Sequence, residues 1–235
     1  MRLRPKAASL NRNRAVYWKN DAMLRNSRLS YGLVAILFHW AIAILFLGQI
    51  GLGYLTQATA DDPRLQFNLY QWHKSVGFLI LLLALLRLGW ALSGAKPKPV
   101  AGTSVSEALA ARIAHSTLLA MTILVPLTGW AIASTSPLMI PSFAFNLVLV
   151  PDLPLARSDE AEALWSNIHA VLAYASGILA AAHAGAALYH QFARRDGTLM
   201  RMLTPSRNTG LGKRPAPSRP SAAGRRVRWP RLRPW

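Results

Sequence analysis

Between Tyr31 and Ala193 the chain holds four long stretches almost free of charge. Tyr31 to Leu55 runs 25 residues without one, Ser75 to Leu92 contains Arg87 alone, Ile113 to Ser134 contains none, and Ala163 to Ala193 runs 31 residues with none. A bilayer core about 30 Å thick is crossed by roughly 20 helical residues, so each stretch is long enough to span, the second if it begins near Tyr70. Backbone groups inside a bilayer must satisfy one another, which leaves helices or a closed barrel, and strand-like alternation is absent. The expected fold is all-α, an integral membrane four-helix bundle.

The rest of the chain agrees. It is 52% hydrophobic and 15% charged, where soluble domains average about a quarter charged. With no cysteine, disulfides, thiolate metal sites, iron–sulfur clusters and covalent c-type haem are excluded. The net charge of +18 sits mostly at the two ends and not in one folded patch, so lipids, and no specific nucleic acid, are the expected partners. Of the 27 basic residues, 24 lie before Ser30, after Ala193 or around the link between helices two and three. The other two connections hold Arg64, Lys74 and Arg157 beside Asp61, Asp62, Asp152, Asp159, Glu160 and Glu162. By the positive-inside rule both termini are expected to be cytoplasmic.

Three regions follow: a basic extension over 1–29, the membrane domain over 30–204, and a basic tail over 205–235 expected to be disordered. The first 22 residues lack the apolar core of a signal peptide, and either Met1 or Met23 suits as the start. Pro137 to Pro151 is apolar but broken by Pro141, which predicts an interfacial or re-entrant loop. Pro126 predicts a kink in helix three.

Six histidines occur, at 39, 73, 115, 169, 183 and 190. A lone intramembrane histidine is often an interhelical hydrogen-bonding group, but these fall at matched depths. His169 and His183 are fourteen residues apart, about 21 Å along helix four and within about 40° of one face. His39 lies early in the outward-running first helix, near the depth of His183, and His73 opens helix two near the depth of His169. The predicted pairs are His39 with His183 inside and His73 with His169 outside. Two imidazoles facing across a bundle suit the axial positions of a b-type haem, whereas zinc wants a third ligand. Filled axial positions favour electron transfer over oxygen binding, and two haems at two depths make a wire across the membrane. Arg87, fourteen residues after His73, comes near the level of the inner pair and either meets a haem propionate or snorkels to headgroups. Gly48, Gly51, Gly53, Gly77, Gly177 and Gly185 offer close approach to a macrocycle or a neighbouring helix.

The local motifs are Phe38-His39-Trp40, Trp72-His73-Lys74-Ser75-Val76-Gly77, Lys96-Pro97-Lys98-Pro99 and Ser142-Phe143-Ala144-Phe145. Helix four adds Asn167-Ile168-His169, His183-Ala184-Gly185-Ala186-Ala187-Leu188-Tyr189-His190 and then Asp196-Gly197-Thr198-Leu199. In these the chain, over about residues 27 to 205, resembles the bacterial cytochrome b561 family of four-helix dihaem cytochromes, including the superoxide oxidase type. The resemblance implies a bacterial inner-membrane protein with two non-covalent haems b, held by His39, His73, His169 and His183. It implies ubiquinone or another quinone as electron partner and, if the superoxide activity carries over, superoxide as outer donor. His190, about 10.5 Å beyond His183 on the same face, then offers a hydrogen bond to a quinone carbonyl, with Lys96, Lys98 or His115 as further donors. Six outer acids against three bases do not make an anion funnel. They equally suit docking of a basic periplasmic dehydrogenase or cytochrome, which makes an electron-transfer subunit the alternative. A non-redox protein using its histidines for packing or metal transport is the third reading.

Overall fold

The computed structural model describes residues 23–27, 30–100 and 102–205. The expectations for most of the basic extension and for the tail beyond Pro205 concern residues outside this description. Four helices dominate: α1 (Leu33–Ala58), α2 (Pro63–Ser93), α3 (Val105–Thr135) and α4 (Asp159–Tyr189). Each is long and apolar enough to cross a membrane. They run up and down, α1 against α2, α2 against α3 and α3 against α4, so the start of α1 and the end of α4 lie at one end of the bundle. We call this the terminal end and the other the hairpin end.

Local chemistry sets the helix starts. Asp62 accepts from the Leu65 N–H at 3.0 Å with Pro63 in the first turn, a pairing that uses proline where its missing N–H costs nothing. Ser104 and Glu107 form a reciprocal capping box at α3. Ser158 caps α4 through the Ala161 N–H at 3.1 Å, with Asp159, Glu160 and Glu162 in the first turn, where the helix dipole favours negative charge.

The segment expected as an interfacial or re-entrant loop is more ordered than a bare loop. It contains an antiparallel strand pair, β1 (Ser142–Ala144) and β2 (Val148–Val150), with Phe143 opposite Leu149. Phe145 and Asn146 turn it with φ of 53° and 56°, the left-handed pair that a tight hairpin turn requires. Asparagine takes that conformation readily; phenylalanine does not. Phe145 is held there by tertiary contacts: its N–H donates to Ser75 Oγ at 3.0 Å and its ring meets Trp72 edge-on. Ser75 Oγ shares its one hydrogen between the Gln71 carbonyl at 2.8 Å and the Phe143 carbonyl at 3.1 Å. Trp130 Nε1 donates to the Pro151 carbonyl and the Leu153 N–H to Ser134 Oγ, so the hairpin is stitched across the ends of α2 and α3.

The bundle mixes hydroxyls with Ile36, Ile42, Ile80, Leu81, Ala84 and Ala131 in its interior and turns large apolar side chains outward. Its buried residues include Thr56, Ser75, Thr128, Ser134, Thr135 and Ser176, while Leu37, Ile44, Leu47, Leu92, Val171, Tyr174 and Ile178 point outward. Each of those buried hydroxyls donates to a carbonyl three or four residues earlier, which satisfies it without water and lets helices approach. An outer surface this apolar suits lipid.

The terminal end is braced by long-range bonds. α4 runs on through a π turn, His190–Arg194, and a 3₁₀ turn, Leu199–Met202. Trp40 Nε1 donates to the Met202 carbonyl at 2.7 Å and Arg201 to the Lys98 carbonyl at 2.9 Å. Arg194 pairs with Glu107 at the start of α3.

Candidate metal centres

The histidine rings meet in two pairs, one toward each end of the bundle. At the hairpin end His73 of α2 faces His169 of α4, ring centres 6.1 Å apart and planes at 73°. At the terminal end His39 of α1 faces His183 of α4, at 6.3 Å and 76°. Two imidazoles bound on opposite sides of one metal need about 2.0 Å per bond and about 1.1 Å from each nitrogen to its ring centre, which makes about 6.2 Å between centres. Both pairs fit that spacing. His115 of α3 also touches His183, but at 5.0 Å, too close for the same arrangement. Among the described residues no cluster of three or more His, Asp or Glu is set to hold a metal, so the donor set suits an ion whose remaining ligands come from a macrocycle and not a zinc site.

A backbone carbonyl and a hydroxyl orient His169 of the hairpin-end pair. His169 Nδ1 lies 3.0 Å from the Val125 carbonyl and 3.0 Å from Thr128 Oγ1, while the Thr128 hydroxyl donates to that same carbonyl at 2.7 Å. The hydroxyl hydrogen is thus committed, Nδ1 carries its own hydrogen toward the two oxygens, and Nε2 keeps its lone pair for a metal. A Cβ on Gly129 would stand 3.2 Å from His169 Cε1, and one on Gly53 3.2 Å from His73 Cε1, so both rings lie against bare backbone. His73 Nδ1 is buried with no hydrogen-bond partner among the described residues. Its helix is fixed from the other side: Gln49 Nε2 donates to the His73 carbonyl at 2.6 Å, across the space that Gly77 leaves open.

Of the glycines singled out from sequence, Gly53 and Gly77 take these close contacts, and Gly177 meets only Ile50 at 3.6 Å. Gly48, Gly51 and Gly185 have no protein atom within 4 Å of where a Cβ would lie. Thr128, Gly129 and Gln49 are contributors the sequence did not reveal. Nothing marks them along the chain, because their roles depend on which face of α1 and α3 meets the histidines.

Arg87 sits at the depth expected. Its charge acts on His39, His115 and His183, and it is mostly buried yet pairs with no carboxylate among the described residues. Lys74 follows His73 and reaches Ser142 Oγ at 3.4 Å under the hairpin; the nearby Asp152 is paired with Arg157 at 2.6 Å. Lys96 and Lys98 lie exposed in the α2–α3 link. His190 bonds Asp196 beyond the end of α4, while the ring contact of His115 is with His183, so the structure groups His115 with the terminal-end pair.

Comparison with known proteins follows the same outline. The family model described as prokaryotic cytochrome b561 matches residues 30–205. The chain is similar to cytochrome b561 homolog 2 of Escherichia coli K12, 28% identical over 183 residues that cover 77% of this chain and 95% of the relative. It is also similar to cytochrome b562 of Cereibacter sphaeroides, 27% identical over 179 residues, 74% of this chain and 96% of the relative.

Proposed function

The chain belongs to the prokaryotic cytochrome b561 family, bacterial multi-pass membrane proteins that carry electrons on haem b, and from that premise we propose that it holds two haems and moves electrons between an outer one-electron donor and a membrane quinone. The observation that supports this most is the recurrence of one pairing geometry at both ends of the bundle. Bound haem supplies reversible one-electron storage at its iron; the protein supplies ligands, spacing and electrostatics.

His73 and His169 hold the hairpin-end group, and His39 and His183 the terminal-end group. The Val125 carbonyl and Thr128 keep His169 in the tautomer that presents Nε2. Arg87 meets a propionate of the terminal-end haem, a partner that resolves its mostly buried charge. Both termini are cytoplasmic, which turns the hairpin end outward.

Superoxide is the donor we assign first. Two superoxide anions give one electron each and leave as dioxygen, while one quinone takes two electrons and two protons to become a quinol. Lys74, held under the hairpin beside His73, is the local positive charge that draws the anion in. His190, Lys96 and Lys98, with His115 behind them, line the quinone end. The acids of the hairpin-end loops, Asp61, Asp62, Asp152, Asp159, Glu160 and Glu162, favour the second reading, an electron-transfer subunit docking a basic periplasmic protein.

A pulse of superoxide onto the oxidised protein separates the two. With superoxide as donor, haem reduction is expected to be rapid, to slow severalfold in Lys74→Gln and to lose its dependence on ionic strength there. Haem reduction that needs a protein partner, with superoxide inert, would establish the second reading instead.

A further inference from the structure

The terminal end carries a second polar construction that the paired imidazoles do not use. After the π turn the chain reverses through Arg195 and Gly197, with φ of 54° and 74°. The reversal swings Asp196 back onto the helix end. Its Oδ2 lies 2.5 Å from His190 Nδ1, and its Oδ1 accepts from the Thr198 N–H at 3.0 Å and the Thr198 hydroxyl at 2.6 Å. The histidine and aspartate side chains are 24% and 19% exposed, shielded but still open to water from that side. The Trp40–Met202 and Arg201–Lys98 bonds brace the segment that follows, so the carboxylate is fixed relative to α1 and the α2–α3 link.

Burial alone would push the Asp196 carboxyl up, but the Thr198 and His190 hydrogen bonds outweigh it and bring it down to about 2. An ionised carboxylate only accepts. Nδ1 of His190 therefore carries a hydrogen in either charge state, and Nε2 is the atom left to gain or lose one. The other charged groups around the turn are engaged elsewhere or stand apart. Glu107 of α3 pairs with Arg194, and Arg201 of the 3₁₀ turn donates to the Lys98 carbonyl. Arg195, Lys96 and Lys98 make no hydrogen bond or ion pair with His190 through their side chains, and among the described residues Asp196 is the carboxylate that touches it.

We propose that Asp196 is a positioning residue for proton transfer, holding His190 so that Nε2 exchanges protons with a quinone at the terminal end. The proposal rests on the quinone reading above. Making a quinol adds two electrons, supplied by the one-electron donor, and two protons, drawn from water on the terminal side. As a carbonyl oxygen gains its O–H bond the Nε2–H bond of His190 breaks, and Nε2 takes a proton back from water before the next transfer. Quinol oxidation runs the same path in reverse.

Two measurements on the haem-loaded protein test this. The first is the ¹⁵N spectrum of histidine-labelled protein, reduced so that the iron is diamagnetic, with His190 assigned by difference from His190→Gln. Wild type is expected to show hydrogen on Nδ1, and Asp196→Asn, whose amide donates to that nitrogen, to move it to Nε2. The second is haem reduction by a short-chain ubiquinol. Asp196→Asn is expected to slow it about ten- to a hundredfold at unchanged haem content, at or below the low end of what a positioned acid–base group itself contributes, and Asp196→Glu to recover part of the rate. Equal rates in wild type and Asp196→Asn would overturn the dyad and leave the quinone reading standing. A ubiquinol that fails to reduce wild-type haem would end the quinone reading and this proposal with it. If Asp196→Asn does not retain haem, the wild-type spectrum decides: hydrogen on Nδ1 upholds the assignment, and a bare Nδ1 overturns it.

Discussion

His169 and His73 face each other at the same end of the bundle, yet their surroundings differ. His169 is held through Nδ1 by the Val125 carbonyl and Thr128, whereas His73 rests on the backbone at Gly53 with its Nδ1 unpartnered among the described residues. Outer-shell groups of the first kind are worth about 10–100-fold in metal affinity. Gly129→Val places methyl groups where the His169 ring lies and is expected to remove the hairpin-end haem while sparing the other, read as loss of about half the haem absorbance per chain. Thr128→Val keeps the Val125 bond and is expected to weaken haem retention at that end by about tenfold or less; equal loss from both ends would contradict both assignments. The histidine positions were legible in the sequence because helical rise and angle convert spacing directly into depth and face. Thr128 and Gly129 were not, since a threonine and a glycine in an apolar helix read as packing until the partner helix is known.

The hairpin shows the same division one level up. Its bounding prolines announced a break between spans, but strands of three residues carry no alternation, and Phe145 in a left-handed conformation runs against its own preference. What holds the turn is Ser75, from a helix some 70 residues earlier in the chain. Ser75→Ala leaves the Phe145 N–H and the Phe143 carbonyl short of a partner at a partly buried site, a cost of about 1 kcal/mol. Amide exchange at Phe145 is expected to speed up accordingly while the helices stay protected; unchanged exchange would show that the Trp72 contact alone suffices. At the other end the turn after α4 makes a pH prediction. The Asp196 carboxyl falls from 3.8 to about 2 in the folded chain, so its contribution is present in full above the unfolded value and is lost as pH falls through that window. The stability advantage of wild type over Asp196→Asn, followed by thermal unfolding, is expected to hold at pH 5 and to shrink between pH 4 and 2. An advantage constant with pH would place the contribution in neutral hydrogen bonds.

For the molecule as a whole, four stretches almost free of charge specified four helices, and successive crossings of one bilayer run in opposite directions. The apolar exterior and hydroxyl-lined interior then follow from lipid as solvent. Orientation rests on charge at the helix ends and in the links, and it is open to test because the chain has no cysteine. A cysteine at Asp61, in the α1–α2 connection, is expected to react with an impermeant maleimide in intact cells, and one at Lys96 only after the cells are opened; the reverse pattern would invert the assignment of donor and quinone ends. Haem-to-protein stoichiometry with reduced-minus-oxidised spectra of wild type, His39→Ala and His169→Ala asks whether the two histidine pairs hold two haems. Two haems b per chain are expected in wild type and one in each variant, with a different spectral component lost from each. A single haem indifferent to both substitutions, or none at all, would contradict the two-haem assignment.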